Sequence, residues 1–223
     1  MKPIIEKILS IPKSLYVSIR LFPLHDALKL PCLVRYNTKI LDLKGQIKVK
    51  NGIVKPFMFH FGFGGVGVFD KRYERSILQI GGILEIEGNA TFGHGCRICV
   101  TKNAIVNIGA DFVNTAAMTL ICAHRIYIGT RVTVSWNVLI MDTDWHNTIN
   151  TKTNSVGCHY RPIYIGDKTW IGTRSIILKG SYLPKGCIVG AGAVVTKQYM
   201  EENICIAGNP ANVVKKDITM YRE

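Results

Sequence analysis

One period governs the second half of this chain. Ile165, Ile171, Ile177, Leu183, Val189 and Val195 recur every six residues without a slip. Gly follows the aliphatic residue at 166, 172 and 190, and a small or apolar residue precedes it by two places at Ile163, Thr169, Ser175, Ser181, Cys187 and Ala193. An amphipathic helix repeats at about 3.6 and a strand at about 2, so neither explains this period. A parallel β-helix does. Its coil has three flat faces, and each face turns one aliphatic side chain inward. The glycines are expected to turn the corners, using backbone angles that a Cβ forbids.

The same spacing starts at Ile80 and runs through Ile86, Phe92 and Ile98. It resets at Val106–Gly109 and Ile126–Gly129 by two-residue slips, which read as corner insertions in one solenoid. The hexapeptide coil is therefore assigned to 80–211. Within it the repeat fails over 141–162, a polar stretch rich in turn formers and expected to leave the scaffold as a loop. Residues 39–79 read as irregular first coils with a Gly- and Phe-rich excursion, including a charged run from Asp70 to Arg75.

Residues 1–38 do not repeat. Ile4, Ile5, Ile8, Leu9, Leu15, Tyr16 and Ile19 have helical spacing, broken at Pro12. They predict a helical arm that covers the open end of the coil. A membrane-surface helix is a second use, on a different face. Residues 212–223 form a short tail, expected to be helical.

Hydrophobic residues make up 48% and charged residues 19%, as in a folded globular chain. The net charge of +13 suits an anionic partner: a membrane, a nucleic acid or a polyanionic small molecule. No aromatic and basic RNA motif or zinc-finger spacing accompanies it, so nucleic acid is not expected. No secretory signal and no apolar run of membrane-spanning length is found. Seven scattered cysteines fit a reducing cytoplasm. Cys96 and Cys99 form a lone CxxC inside the repeats and read as core packing. No His-x3-His pair suggests a metal, and none is expected.

A β-helix does not by itself fix function. The loop opens with Asp142-Thr-Asp-Trp-His-Asn147. An imidazole at the rim of a stiff coil can take a proton near neutral pH. A neighbouring carboxylate would hold one tautomer and stabilise the imidazolium. Asp144 is nearest to His146 in sequence and Asp142 next. His94, His124 and His159 are rivals, and spacing alone does not choose among them.

Met141-Asp-Thr-Asp-Trp-His146, the long loop, Pro162–Gly172, Gly190–Lys197 and Ala207-Gly-Asn-Pro-Ala211 together resemble the hexapeptide-repeat acyltransferases. The nearest branch is the galactoside, maltose and polysaccharide O-acetyltransferases, and the likeness covers roughly residues 80–216. It implies a left-handed parallel β-helix, a homotrimer and acetyl-CoA as donor. It assigns His146 as the general base for direct attack of a sugar or glycan hydroxyl on the thioester. It places Trp170 against the thioester, with Thr173 and Ala191 giving main-chain hydrogen bonds to the pantetheine arm. Gly190 would leave room for that arm, and Thr196 and Lys197 would meet the nucleotide. Asn114, Trp145 and His159 are assigned to the acceptor. The family often carries Arg just after Gly-x-Pro-Ala, where this chain has Asn212, which leaves Lys215 or Lys216 for the 3′-phosphate as point charges. Lipid-linked acceptors would also suit a basic arm lying near a membrane, which makes peripheral contact with its inner face an expectation. N-acylation of an amino sugar or amino acid, a metal-bearing trimeric hydratase and a non-catalytic binding coil are the alternatives.

Overall fold

The computed structural model describes residues 3–64, 66–69 and 74–221. The chain winds into a left-handed parallel β-helix, the expected fold class, with three sheets as its faces. Each coil visits them in turn. One coil, for example, runs through Phe112–Ala116 on the first face, Thr119–Cys122 on the second and Arg125–Ile128 on the third. The next coil stacks on it in parallel, pairing Asn114 with Val134, Leu120 with Ile140 and Ile126 with Ile163.

This winding explains the period of six. Ile165, Ile171, Ile177, Leu183, Val189 and Val195 fall on the third, first and second faces in rotation, each at most 1% exposed. In the earlier coils the interior is wider and takes rings. Phe92 lies 5.4 Å from Phe59, 5.9 Å from Phe61 and 5.1 Å from Phe112 between centroids. Such tilted contacts suit the ring quadrupoles. The excursion after Phe61 is described only in part, and Asp70 to Tyr73 lie outside the described residues.

Gly166 and Gly172, which follow the inward aliphatic residue, serve stacking rather than turning, whereas Gly180, Gly186 and Gly192, with φ of 79°, 73° and 70°, turn corners as expected. A Cβ on Gly166 would stand 2.6 Å from the amide nitrogen of Lys185, and one on Gly172 would stand 2.6 Å from the carbonyl oxygen of Val189. Both atoms belong to the next coil. The left-handed residue comes two places later, at Lys168 and Arg174, both with φ 57°. The small buried residue that follows closes the corner. Thr169 Oγ1 donates to the Gly166 carbonyl at 2.7 Å, and Ser175 Oγ to the Gly172 carbonyl at 2.6 Å.

The coil begins at Cys32–Val34, inside the stretch assigned to the arm. That strand is the edge of the first sheet. Its unpaired amides would template other chains, and a helix covers them. Helix α1 spans Pro3–Leu21 and runs unbroken through Pro12, unlike the interruption expected. Pro12 is exposed, so the carbonyl it cannot serve is open to water. The inner side of α1 is a ladder of serines at helical spacing. Ser10, Ser14 and Ser18 accept the amides of Tyr36, Val34 and Cys32 at 3.0, 2.9 and 3.3 Å. Arg35 Nε ties the helix down further, 2.5 Å from Glu6 Oε1. A short helix α2, Leu24–Ala27, leads into the first strand.

The far end also differs from expectation. The tail is not helical: Ala211–Lys215 folds back antiparallel on Cys205–Gly208. The partner strand lies just upstream in sequence, and pairing with it satisfies backbone groups that an isolated short helix would leave open.

Replacing Gly172 by Ala should cost roughly 1–3 kcal/mol in urea unfolding, from overpacking against the next coil. Replacing Lys168 by Gly should leave stability unchanged or raise it by up to ~1 kcal/mol, by relieving a left-handed residue. The opposite ranking would return the repeat glycines to a turning role.

Candidate active site

The stretch 141–162 is a β-hairpin rather than an irregular loop. It leaves the coil at the corner between the second and third faces. Thr148–Ile149 pairs antiparallel with Val156–Gly157. Lower down, Asp144 N donates to the His159 carbonyl at 2.8 Å and Arg161 N to the Asp142 carbonyl at 3.0 Å. At the tip, Asn150 Oδ1 accepts the amides of Lys152 and Thr153 at 2.9 and 3.1 Å, the side-chain turn for which Asn is suited.

Asp142 roots this hairpin. Its carboxylate is fully buried and accepts the amides of Ala123, His124 and Arg125 at 2.7, 2.9 and 2.7 Å. These belong to the same corner of the preceding coil. A carboxylate holding three amides is a strong anchor. Thr143, also buried, ties the second strand through His159 Nδ1 at 3.0 Å. His159 packs edge-on to Tyr160, whose ring lies 4.6 Å from His124. His159 is thus a hairpin strut in this protomer.

His146 stands exposed on the first arm, and among the described residues it makes no hydrogen bond or ion pair. The residue before it, Trp145, has φ 63° and is half exposed. A bulky residue held in the left-handed region costs roughly 1 kcal/mol, and such strain concentrates at functional positions. Neither expected carboxylate orients the imidazole within the protomer. Asp142 is consumed by the corner amides. Asp144 forms an ion pair with Lys179, which also donates to the Cys158 carbonyl at 3.1 Å.

A second constellation lies at a different corner, between the first and second faces. Trp136, Thr173 and Ala191 stack there on successive coils. Thr173 Oγ1 and Arg174 N both donate to the Trp136 carbonyl, at 2.9 and 3.1 Å. Gly192 N in turn donates to the Thr173 carbonyl at 2.9 Å. Among the described residues, no carbonyl accepts the amide of Thr173 or of Ala191. Both residues are solvent-accessible, so the corner presents open donors along the coil axis. Trp170 flanks them, 37% exposed, and its indole Nε1 donates to Ser135 Oγ at 3.2 Å. Ser135 sits where the repeat places Gly in the next two coils, and that departure was the only trace of it in the sequence. Gly190 fits the same column, with its amide on the Ile206 carbonyl at 2.8 Å.

The remaining candidates fall elsewhere. Asn114 is not at an acceptor surface: it is 1% exposed inside the coil. Its Oδ1 accepts the Cys96 thiol at 2.7 Å, and its Nδ2 donates to the carbonyls of Val134 and Ser135 at 3.1 and 3.0 Å. Every polar atom of that amide is used internally. Burial pushes the Cys96 thiol up to about 12, so it is inert packing. Thr196 and Lys197 follow the last strand of the second face, on the side where the hairpin leaves. Lys197 Nζ donates to Asn212 Oδ1 at 2.7 Å, so the Asn noted after Gly-x-Pro-Ala holds a lysine. Lys215 is exposed at the end of the final strand, and Lys216 pairs with Glu201 at 2.8 Å.

No family model matches the chain. A Schizosaccharomyces pombe protein named as an acetyltransferase is 31% identical over 133 residues, which is 59% of this chain and 59% of that protein. The chain thus spans less than two thirds of that relative's length. Galactoside O-acetyltransferase of Escherichia coli is 25% identical over 166 residues, covering 73% of this chain and 76% of that protein. A solved galactoside acetyltransferase in complex with coenzyme A aligns with a TM-score of 0.41 at 25% identity, over 52% of this chain and 63% of that chain. The relatives are acetyltransferases, of the type the sequence motifs resemble.

Asp142→Ala would strand three amides at the hairpin root. It should lower unfolding stability by roughly 3 kcal/mol or more and speed amide exchange across 142–161. Unchanged exchange there would show that the hairpin is held by other contacts.

Proposed function

We propose that this chain is an acetyl-CoA-dependent O-acetyltransferase. It transfers the acetyl group to a sugar hydroxyl of a cytoplasmic polysaccharide or glycan precursor. The observation that carries the reading is a solvent-open imidazole, His146, on a hairpin that is rigidly rooted while the histidine itself is unpaired. The open amides of Thr173 and Ala191 support the donor assignment, since they suit the amide carbonyls of a pantetheine arm. The acetyltransferase relatives support the same class.

In this mechanism the acceptor O–H donates to the His146 ring nitrogen. As that proton moves to the imidazole, the oxygen attacks the thioester carbonyl. The carbonyl electrons shift to oxygen, where a hydrogen-bond donor stabilises the oxyanion. Collapse restores the carbonyl, breaks the carbon–sulfur bond and expels the thiolate, which takes the proton from the imidazolium. No covalent enzyme intermediate is needed.

The geometry also supports a trimer. His146 leaves one edge of a triangular prism, and the Trp170–Thr173–Ala191 column lines another. A single protomer cannot bring two edges of a rigid prism together. Three prisms around a common axis can, by placing one copy's hairpin beside its neighbour's corner.

The test is acetyl-CoA with glycan acceptors, followed by free-thiol release. His146→Ala should lose about 10²–10⁴-fold in turnover while still binding coenzyme A. Ala191→Trp should block donor binding. Mixing the two inactive variants after dissociation should restore about a quarter of the sites, those pairing an intact hairpin with an intact corner. No recovery would overturn the shared site, and full activity of His146→Ala would overturn the mechanism.

A further inference from the structure

Helix α1 is inverted. It buries serines and displays aliphatic residues. Its outward stripe includes Ile4, Ile8, Leu15 and Ile19, at 72%, 63%, 40% and 48% exposure. Their spacing places them on one face, opposite the Ser10–Ser14–Ser18 ladder. Leu24 and Leu28 continue the surface, at 65% and 71% exposure. An aliphatic stripe of this extent marks a contact surface. Its direction is fixed by what lies beneath: the amides capped by the serines belong to the edge strand of the first coil, so the stripe faces outward from the end of the solenoid.

We propose that this face seats the protein on an anionic bilayer, with α1 lying in the plane of the headgroups. Among the described residues, no helix is long and apolar enough to cross a membrane. A 19-residue helix offers about 28 Å of flat contact. The rim of the stripe selects the occupant. Arg20 is exposed at one flank of the stripe and Lys7 is exposed beside the serine ladder, and among the described residues neither is in an ion pair. The nearby carboxylates are engaged: Glu6 pairs with Arg35, and Asp26 with Lys29 at 2.8 Å and His25 at 3.0 Å. The rim is therefore positive, on a chain of net charge +13. A second copy would bring a like-charged rim against it, whereas anionic lipid supplies the complement.

Flotation of the full chain with vesicles tests this. It should float with phosphatidylcholine vesicles containing phosphatidylglycerol, weakly with phosphatidylcholine alone, and less as salt rises. Ile8→Glu with Leu15→Glu should weaken vesicle binding by more than about 100-fold. Lys7→Gln with Arg20→Gln should weaken it by about 5-fold per residue. The glutamate variant should keep the wild-type melting profile and particle mass, since Ile8 and Leu15 point away from the coil. Failure of the wild type to float, or flotation of the glutamate variant at wild-type strength, would overturn the proposal. So would a change in particle mass on introducing the glutamates, since the stripe would then join protein copies.

Discussion

The distance between successive coils controls this molecule. Parallel strands stack about 4.8 Å apart, and the amides between coils find their carbonyls only at that spacing. At most positions a side chain points in or out and does not notice. At the corners it would point along the axis, into the next coil. There the chain carries Gly166 and Gly172, whose missing Cβ atoms make room for the backbone above. The left-handed angle beside those two glycines falls to Lys168 and Arg174, and at later corners to Gly180, Gly186 and Gly192.

That constraint made the coil legible in the sequence. An inward position recurs whenever the chain reaches a new face, and only an aliphatic or aromatic side chain fills it. The reason for the glycines was not legible, because stacking between coils links residues far apart in sequence and the repeat records only the outcome. The inversion of α1 was hidden for a similar reason. Apolar spacing announces a helix but not which way it faces, and the serines became the buried side only because an edge strand with open amides lay beneath them.

The site was legible in part. His146, Thr173 and Ala191 stand open to solvent, as chemistry requires. Asn114 and Asp142 look like functional polar residues in a sequence, yet the fold spends both on its own backbone. Asp142 has the greater effect, since a carboxylate holding three amides turns an ejected segment into a stiff arm. What the sequence could not reveal is that the arm and the corner column lie on different edges. The order of residues along a solenoid says little about which edge each one reaches, and the proposed site between prisms depends on that alone.

The first sheet is stoppered at both edges, one by a helix whose hydroxyls imitate a neighbouring strand and the other by a strand that runs backwards. A solenoid with bare ends would polymerise end to end, each copy extending the ladder of the last. Closing those two edges works against such growth on the first face while leaving the middle indifferent to it. Whole turns could be added or removed between the stoppers without disturbing either one, so the fold can change length only in complete revolutions.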